Sequence, residues 1–235
     1  MSAHRTKPTP LVSLPPGALL IAIVLWAATF ALGFGAKAAQ PWLTAQLSVD
    51  RALNAAHSPL HDALAKALDR LDSVVVVAVI LVVVAVVIGL LSSWLRALAA
   101  VVIAGAGWVL CLAPKAIVGE LRPPLSAVSH QLNVTHATLS YPSGHTVFAV
   151  TLTIAVLTVA RGTVTRIVVA VAGILFVAVT AWSRLYVGAH YPTDILGALL
   201  AGTAGALLIG WLWNLCVRIL APRLRRRSPA PASQG

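Results

Sequence analysis

Charged residues are scarce in this sequence, and acidic residues are the scarcest of them. Asp and Glu together number 6 and Lys and Arg 17, so charged residues make up 10% of the chain and hydrophobic residues 59%. The mean hydropathy of +0.92 lies well above the range of ordinary soluble domains. The scarcity of charge therefore excludes a soluble globular protein and indicates an integral membrane protein.

Cysteine is nearly absent as well. The chain has 2 cysteines, Cys111 and Cys216, which lie far apart and within or at the end of apolar runs. Two such residues exclude the disulfide framework of a small secreted domain, so we interpret both as packing residues. The sequence also lacks a ligand set that demands a metal, and it predicts neither a metal site nor a cofactor.

The sequence contains long stretches without any charged residue. Crossing a bilayer takes about 20 apolar residues, and six stretches approach that length. They run from Gly17 to Ala36, Ser73 to Ser92, Leu98 to Ala113, His145 to Ala160, Ile167 to Trp182 and Ile195 to Val217. The first exceeds the apolar core of a signal peptide and is interpreted as an uncleaved anchor. The sequence thus predicts an all-α bundle of six transmembrane helices.

Around this bundle the sequence predicts two tails and one helix at the membrane interface. We divide the chain into a disordered N-terminal tail (1–16), a membrane domain (17–217) and a basic C-terminal tail (218–235). Leucines at near-helical spacing with charges between them predict a helix over 51–72, lying on the outer interface or simply solvated.

The distribution of charge predicts the orientation, because cytoplasmic loops collect Lys and Arg. Segments that alternate onto the N-terminal side of the bundle hold no acid, and their bases are Arg5, Lys7, Arg96, Arg161, Arg166, Arg218, Arg223, Arg225, Arg226 and Arg227. The opposite side holds every acid and the remaining bases. Both termini are therefore predicted to be cytoplasmic, in the plasma membrane. The basic C-terminal tail suits anionic lipid, and the absence of a folded basic domain argues against nucleic acid.

Three polar segments interrupt the apolar runs, and this topology brings all of them to the outer face. They read KAIVGELRPP from Lys115, YPSGHT from Tyr141 and SRLYVGAHYPTD from Ser183. Cations gathered beside a bilayer repel one another and lose hydration, so such a cluster needs an anionic guest. Arg122 and Arg184 suit phosphoryl oxygens, to which Lys115 adds a point charge.

The remaining polar residues suit phosphoryl transfer. Ser143 and Gly144 stand at a predicted helix N-terminus, where free N–H groups favour an anion. His190 and Asp194 are four residues apart, so the carboxylate can accept a hydrogen bond from one ring nitrogen and leave the other to attack phosphorus. His145 then serves as the general acid toward the leaving oxygen. The residues themselves predict hydrolysis through a phosphohistidine intermediate.

These segments resemble the three motifs of the type 2 phosphatidic acid phosphatase superfamily, the lipid phosphate phosphatases. All fixed positions match: Lys115, Arg122 and Pro123 in K-x6-RP; Pro142, Ser143, Gly144 and His145 in PSGH; Ser183, Arg184, His190 and Asp194 in SR-x5-H-x3-D. The resemblance implies a six-helix membrane enzyme that removes phosphate from lipids without metal. It further implies His190 as nucleophile, Asp194 orienting it, His145 as acid, and the other motif residues around the phosphate.

Two functions other than lipid phosphate hydrolysis would use a similar set of phosphate-binding residues. A vanadium-dependent haloperoxidase would bind vanadate there, although six spans and a basic inner face argue against it. A lipid or sugar-phosphate transporter would be favoured by the loss of catalytic residues, yet both histidines and the aspartate are present. Among substrates we place polyprenyl diphosphate first, with phosphatidate or phosphatidylglycerol phosphate as alternatives. The sequence makes no prediction of oligomeric state.

Overall fold

Helices account for nearly all of the regular structure. The computed structural model describes residues 12–134 and 138–227, with the side chains of 72, 125 and 221–227 left out. The helices are α1 (Ala18–Ala38), α2 (Gln40–Ala45), α3 (Leu47–Ala55), α4 (Pro59–Asp69), α5 (Val74–Leu91), α6 (Trp94–Val109), α7 (Leu112–Val118), α8 (Gly144–Val159), α9 (Thr163–Tyr186) and α10 (Pro192–Arg227). Within these described ranges no β-strand forms, which confirms the all-α prediction.

Five helical segments are long and apolar enough to cross a membrane. They are Ala18–Ala38, Val74–Leu91, Trp94–Val118, Thr163–Tyr186 and Pro192–Leu220, whereas α8 is apolar but shorter. Each predicted stretch coincides with one of these segments or with α8, so the integral membrane prediction is confirmed. The count of six crossings stays a prediction, because the 16 residues of α8 span only about 24 Å at 1.5 Å per residue.

Helix α8 lies at the centre, packed against α6, α9 and α10, while α1 packs along α10 and α5 along α6. Small residues allow the closest approach. A Cβ on Gly205 of α10 would stand 2.8 Å from the carbonyl oxygen of Gly107 on α6. Ile103, Ala155 and Ala206 form part of the core between these helices. The short and central α8 is thereby held with one end at the motif segments.

The N-terminal tail prediction is wrong for residues 12–16. Val12 is fully buried, Ser13 donates its backbone N–H to Thr158 O at 2.8 Å, and Asn214 donates to Val12 O at 3.1 Å. Burial between α8 and α10 outweighs the local preference of a segment rich in Pro and Ser. Residues 1–11 of the predicted tail lie outside the described residues.

The C-terminal helix is longer than the sequence predicted. Helix α10 ends at Arg227, so helical backbone continues through the first part of the predicted basic tail. Leu and Arg are both good helix formers. The change in composition from apolar to basic residues along the chain therefore does not end the helix. The rest of that tail, 228–235, lies outside the described residues.

The single interfacial helix predicted over 51–72 is two helices, α3 and α4. The chain turns after Ala55, and Ser58 caps α4 by accepting the backbone N–H of His61 at 3.2 Å. Pro59 at the first position of α4 suits a helix start because its missing N–H would have no partner there. Both helices pack against α9, at the end of the bundle that carries the three motifs.

Candidate active site

The three motif segments meet at one end of the bundle. Lys115 lies in α7 and Arg122 just after it, Gly144 and His145 begin α8, and Arg184 lies in the last turn of α9. The side of the membrane on which this end lies stays a prediction, but the contacts below join all three segments.

His190 and Asp194 form a hydrogen-bonded pair that is fully buried. The distance from His190 Nδ1 to Asp194 Oδ2 is 3.1 Å. Helix α10 begins at Pro192, and Asp194 in its first turn accepts the backbone N–H of Tyr191 at 2.9 Å, an arrangement that caps the helix and fixes the carboxylate. The i,i+4 contact predicted from spacing is therefore formed, although His190 itself precedes the helix.

The environment of His190 keeps its imidazole neutral. Burial, followed by the charges of Arg122, Lys115, His145 and Arg184, holds the pKa of His190 well below its usual range. A neutral ring that donates from Nδ1 to Asp194 carries its lone pair on Nε2. That Nε2 atom is buried and has no hydrogen-bond partner among the described residues. The imidazole is therefore in the state that a nucleophile needs.

Arg184 is fully buried, and its donors point in several directions. Nη1 donates to Asp69 Oδ1 at 2.7 Å, Nη2 to Ala65 O at 3.2 Å and Nε to Ser183 Oγ at 3.1 Å. Both partners on α4 lie near the C-terminal end of that helix, where a cation is favoured by the helix dipole. Ser183 thus contacts the guanidinium directly, and its supporting role in the site stays a prediction.

His145 shares the same partner. Its Nε2 lies 2.9 Å from the backbone carbonyl of Asp69 and 3.4 Å from Arg184 Nη1. The carbonyl can only accept, so Nε2 carries a proton and Arg184 is a close neighbour rather than a donor to the ring. Asp69 therefore fixes His145 through its backbone and Arg184 through its side chain.

Lys115 and Arg122 converge on one loop carbonyl. Lys115 Nζ and Arg122 Nε each lie 3.3 Å from Leu139 O, and Lys115 also donates to Ser140 O at 3.0 Å. An isolated antiparallel bridge joins Leu121 to Leu139. These bonds hold the two cations of the first motif against the segment that leads into the second.

The second motif forms the start of α8, as its residue types predict. Ser143 is the residue before the helix, with extended backbone dihedrals, and its N–H donates to Asp194 O at 3.3 Å. This bond ties the start of α8 to the start of α10. Pro142 is buried beside it and Pro123 is buried in the first motif. A helix N-terminus surrounded by cations is a suitable anion site.

Tyr141 anchors this segment between α1 and α10. Its hydroxyl donates to Thr29 O at 2.6 Å, and its ring fills the space over two glycines. A Cβ on Gly33 would lie 2.6 Å from the ring, and one on Gly197 would lie 2.3 Å from it. Glycine at both positions is therefore required by the close approach of the aromatic ring.

Sequence reasoning missed two polar residues of the site. Asp69 contacts Arg184 and His145. Ser140 donates a hydrogen bond to Asp194 Oδ2, the same carboxylate oxygen that is hydrogen-bonded to His190 Nδ1. Ser140 stands two residues before Pro142, close enough to the motif to have been considered. Asp69 carried no local signal, because it lies 115 residues from Arg184.

A cavity of about 540 Å³ adjoins the cations of the first motif. Lys115, Arg122 and Gly144 contribute to its wall, and the other lining residues are mostly apolar: Val74, Trp108, Val109, Cys111, Leu112, Thr138 and Leu139. Val109 and Leu112 are more than half exposed on the helix surface. The cavity thus joins phosphate-binding residue types to a wall that borders the membrane.

Comparison with known proteins agrees with this geometry. Residues 93–218 match the family model of the PAP2 superfamily. The chain is 30% identical over 183 residues to undecaprenyl-diphosphatase BcrC of Bacillus subtilis (strain 168), a match that covers 70% of this chain and 90% of that protein. Its fold resembles the crystal structure of a transmembrane PAP2 type phosphatidylglycerolphosphate phosphatase from Bacillus subtilis, with a TM-score of 0.64, 18% identity and coverage of 88% of this chain and 98% of the other. The chain therefore belongs to the PAP2 superfamily, as its three motifs predicted.

Proposed function

We propose that this membrane protein hydrolyses polyprenyl diphosphate at the outer membrane surface through a phosphohistidine on His190. The chain is a phosphatase of the PAP2 superfamily that acts on lipid phosphates, and the assignment of His190 as the nucleophile rests on one observation. His190 Nε2 is buried without a partner among the described residues, and the charges that depress its pKa belong to Arg122, Lys115, His145 and Arg184. A neutral nucleophile facing four cationic or polar side chains suits a phosphoryl group.

In the first step His190 Nε2 attacks the terminal phosphorus and forms a P–N bond, while the bond from that phosphorus to the bridging oxygen breaks and polyprenyl phosphate leaves. His145, in its protonated form, gives a proton to the leaving oxygen. The imidazole becomes positively charged as it attacks, and Asp194 stabilises this charge through Nδ1. Lys115, Arg122, Arg184 and the N-terminus of α8 hold the phosphoryl oxygens.

In the second step water attacks the phosphohistidine. His145, now neutral, takes a proton from the water as the P–N bond breaks. Inorganic phosphate leaves, His190 returns to its neutral form and His145 to its protonated form. We predict that no step requires a metal or a cofactor. Phosphate release in the presence of EDTA tests this prediction for metals.

We place a lipid diphosphate first among the candidate substrates for two reasons. BcrC, which is 30% identical to this chain over 90% of its own length, is named for undecaprenyl diphosphate. The cavity beside Lys115 and Arg122 has a largely apolar wall, which suits a hydrocarbon tail. Phosphatidylglycerol phosphate is the second candidate, because the solved protein of similar fold carries that activity in its name.

We expect purified protein in detergent to release phosphate from polyprenyl diphosphate in the presence of EDTA. Phosphatidylglycerol phosphate, phosphatidate and water-soluble nitrophenyl phosphate serve as the comparison panel. The apolar cavity wall should give all three lipids a lower KM than nitrophenyl phosphate, which has no tail. A higher kcat/KM for phosphatidylglycerol phosphate would replace the proposed substrate, and loss of activity with EDTA would contradict the metal-independent step. Halogenation with peroxide and vanadate would favour the haloperoxidase alternative.

The proposed orientation has its own test. Cysteine is introduced as Ser126→Cys in the loop beside the site or as Arg225→Cys at the opposite end, in a chain whose Cys111 and Cys216 are replaced. In intact cells an impermeant thiol reagent should label position 126 only. Both positions should label after the cells are opened, which controls for accessibility. Labelling of intact cells at 225 alone would invert the orientation and place the site in the cytoplasm.

A further inference from the structure

Helix α3 supports the turn that carries His190, although it precedes the residues matched by the PAP2 family model, 93–218. Gln46 Oε1 accepts hydrogen bonds from Thr193 N at 2.9 Å and Thr193 Oγ1 at 2.6 Å. Two helical turns later, Asn54 Nδ2 donates to Tyr186 O at 3.0 Å. These bonds hold both ends of the 186–193 segment against one face of α3.

Asp50 lies midway between these two contacts on the same face of α3. Its side chain is fully buried, and neither carboxyl oxygen has a hydrogen-bond partner among the described residues. Leu47 and Tyr191 pack in the same cluster beside it. A carboxylate in such a place is costly, because burial removes water and no other described residue supplies a donor in its place.

Among the charges near Asp50, the negative charge of Asp194 has a larger effect than the positive charge of Arg51. Burial and then the charge of Asp194 raise the pKa of Asp50 to about 7, opposed by its own backbone N–H and by Arg51. Burial, followed by the charges of Glu120, Asp194 and Asp50, raises the pKa of the Tyr191 phenol. Burial without a hydrogen-bond partner among the described residues therefore favours the protonated form of Asp50 up to about pH 7.

We propose that Asp50 is a positioning residue that exchanges a proton behind His190 and Asp194 and so sets the charge felt by the attacking imidazole. The proposal rests on the proposed role of His190. Attack on phosphorus makes the ring positive, and a second carboxylate near Asp194 stabilises that charge. Turnover should therefore rise as Asp50 ionises.

The test compares native protein with Asp50→Asn, which keeps the shape but cannot ionise. We expect the ratio of native to variant kcat to be near one at pH 5.5 and to rise several-fold by pH 8.5. Because ionisation of the substrate affects both proteins equally, it cancels in the ratio. The matched control is Gln46→Met, one turn away, which removes a contact to Thr193 without removing a titrating group and should lower kcat by the same factor at every pH.

A second measurement does not depend on activity. The folded protein retains the Asp50 proton up to about pH 7, whereas an unfolded chain loses it near pH 4. Between these values the folded state binds more protons, so this carboxyl makes stability fall as pH rises. The Asp50→Asn protein should therefore have a higher Tm than native protein at pH 8, and this difference should shrink steadily as the pH falls toward about 4.

The two measurements separate the possible failures. A Tm difference that is the same at all pH values would overturn the buried, titrating carboxyl. A Tm difference that varies with pH, together with a constant kcat ratio, would overturn the coupling to His190. Absence of phosphate release from every substrate by native protein would instead refute the proposed function, and the Tm measurement would still decide whether Asp50 titrates.

Discussion

His190→Ala is expected to abolish phosphate release while the protein still folds. The substitution removes the nitrogen that is proposed to attack phosphorus, and the space it leaves is confined to a small buried turn. Removal of the nucleophile from enzymes that form covalent intermediates lowers kcat by about 10⁴-fold or more. The measurement is phosphate release from the lipid panel, with Tm and size-exclusion profile as checks of folding.

A second histidine at the same end of the bundle provides the matched control. His61 contacts Trp182 and Tyr186 through its ring, and its hydrogen bonds within the described part of the chain are to Ser58 and Ala56 rather than to a motif residue. His61→Ala should therefore retain most of the native rate. A His190→Ala protein that folds and keeps substantial activity would contradict the proposed nucleophile, whatever the behaviour of the control.

The covalent intermediate can be sought directly. Loss of the proton donor in His145→Ala should slow the second step, in which water must be deprotonated, and should allow phosphate to accumulate on His190. Mass spectrometry of this variant, quenched at alkaline pH after a lipid with a good leaving group is added, should find the phosphate on the peptide that contains His190. Phosphate found on another residue would identify that residue as the nucleophile instead of His190.

The motifs were readable in the sequence because each is a local pattern with a direct structural meaning. The spacing of His190 and Asp194 predicted their contact, and Ser143 followed by Gly144 predicted the start of α8. Helix-forming apolar runs of the right length likewise predicted the membrane segments, since a bilayer allows few other structures. These predictions needed only the backbone geometry of one segment at a time.

The features that the sequence did not reveal depend on contacts between distant segments. Asp69 reaches Arg184 across 115 residues, and Gln46 reaches Thr193 across 147 residues. Nothing in the composition near Asp50 distinguishes a buried acid from a solvated one. Residues 12–14 mislead in the opposite direction, because a segment with a local composition typical of a loop packs between α8 and α10. Tertiary packing decided each of these cases.

Arg184→Lys is expected to lower kcat/KM on the lipid diphosphate by about a hundred- to a thousand-fold, the range for loss of one preorganised donor. The guanidinium donates to Ser183, Asp69 and Ala65 in separate directions, and this framework fixes its plane beside His145. Lysine keeps the charge, but its single nitrogen cannot fill all three positions and also hold two phosphoryl oxygens.

Comparison with two further variants separates charge from orientation. Arg184→Ala loses both and should be slower than Arg184→Lys, whereas Asp69→Asn keeps the guanidinium but loses the charged partner that orients it. We therefore expect Asp69→Asn to reduce kcat/KM less than Arg184→Lys and to retain competitive inhibition by inorganic phosphate, which Arg184→Ala should weaken. If Arg184 only tethers α9 to α4, the three variants will lower Tm and leave inhibition by phosphate unchanged. That result would remove Arg184 from the phosphate-binding set and leave Lys115, Arg122 and the N-terminus of α8 to hold the phosphoryl group.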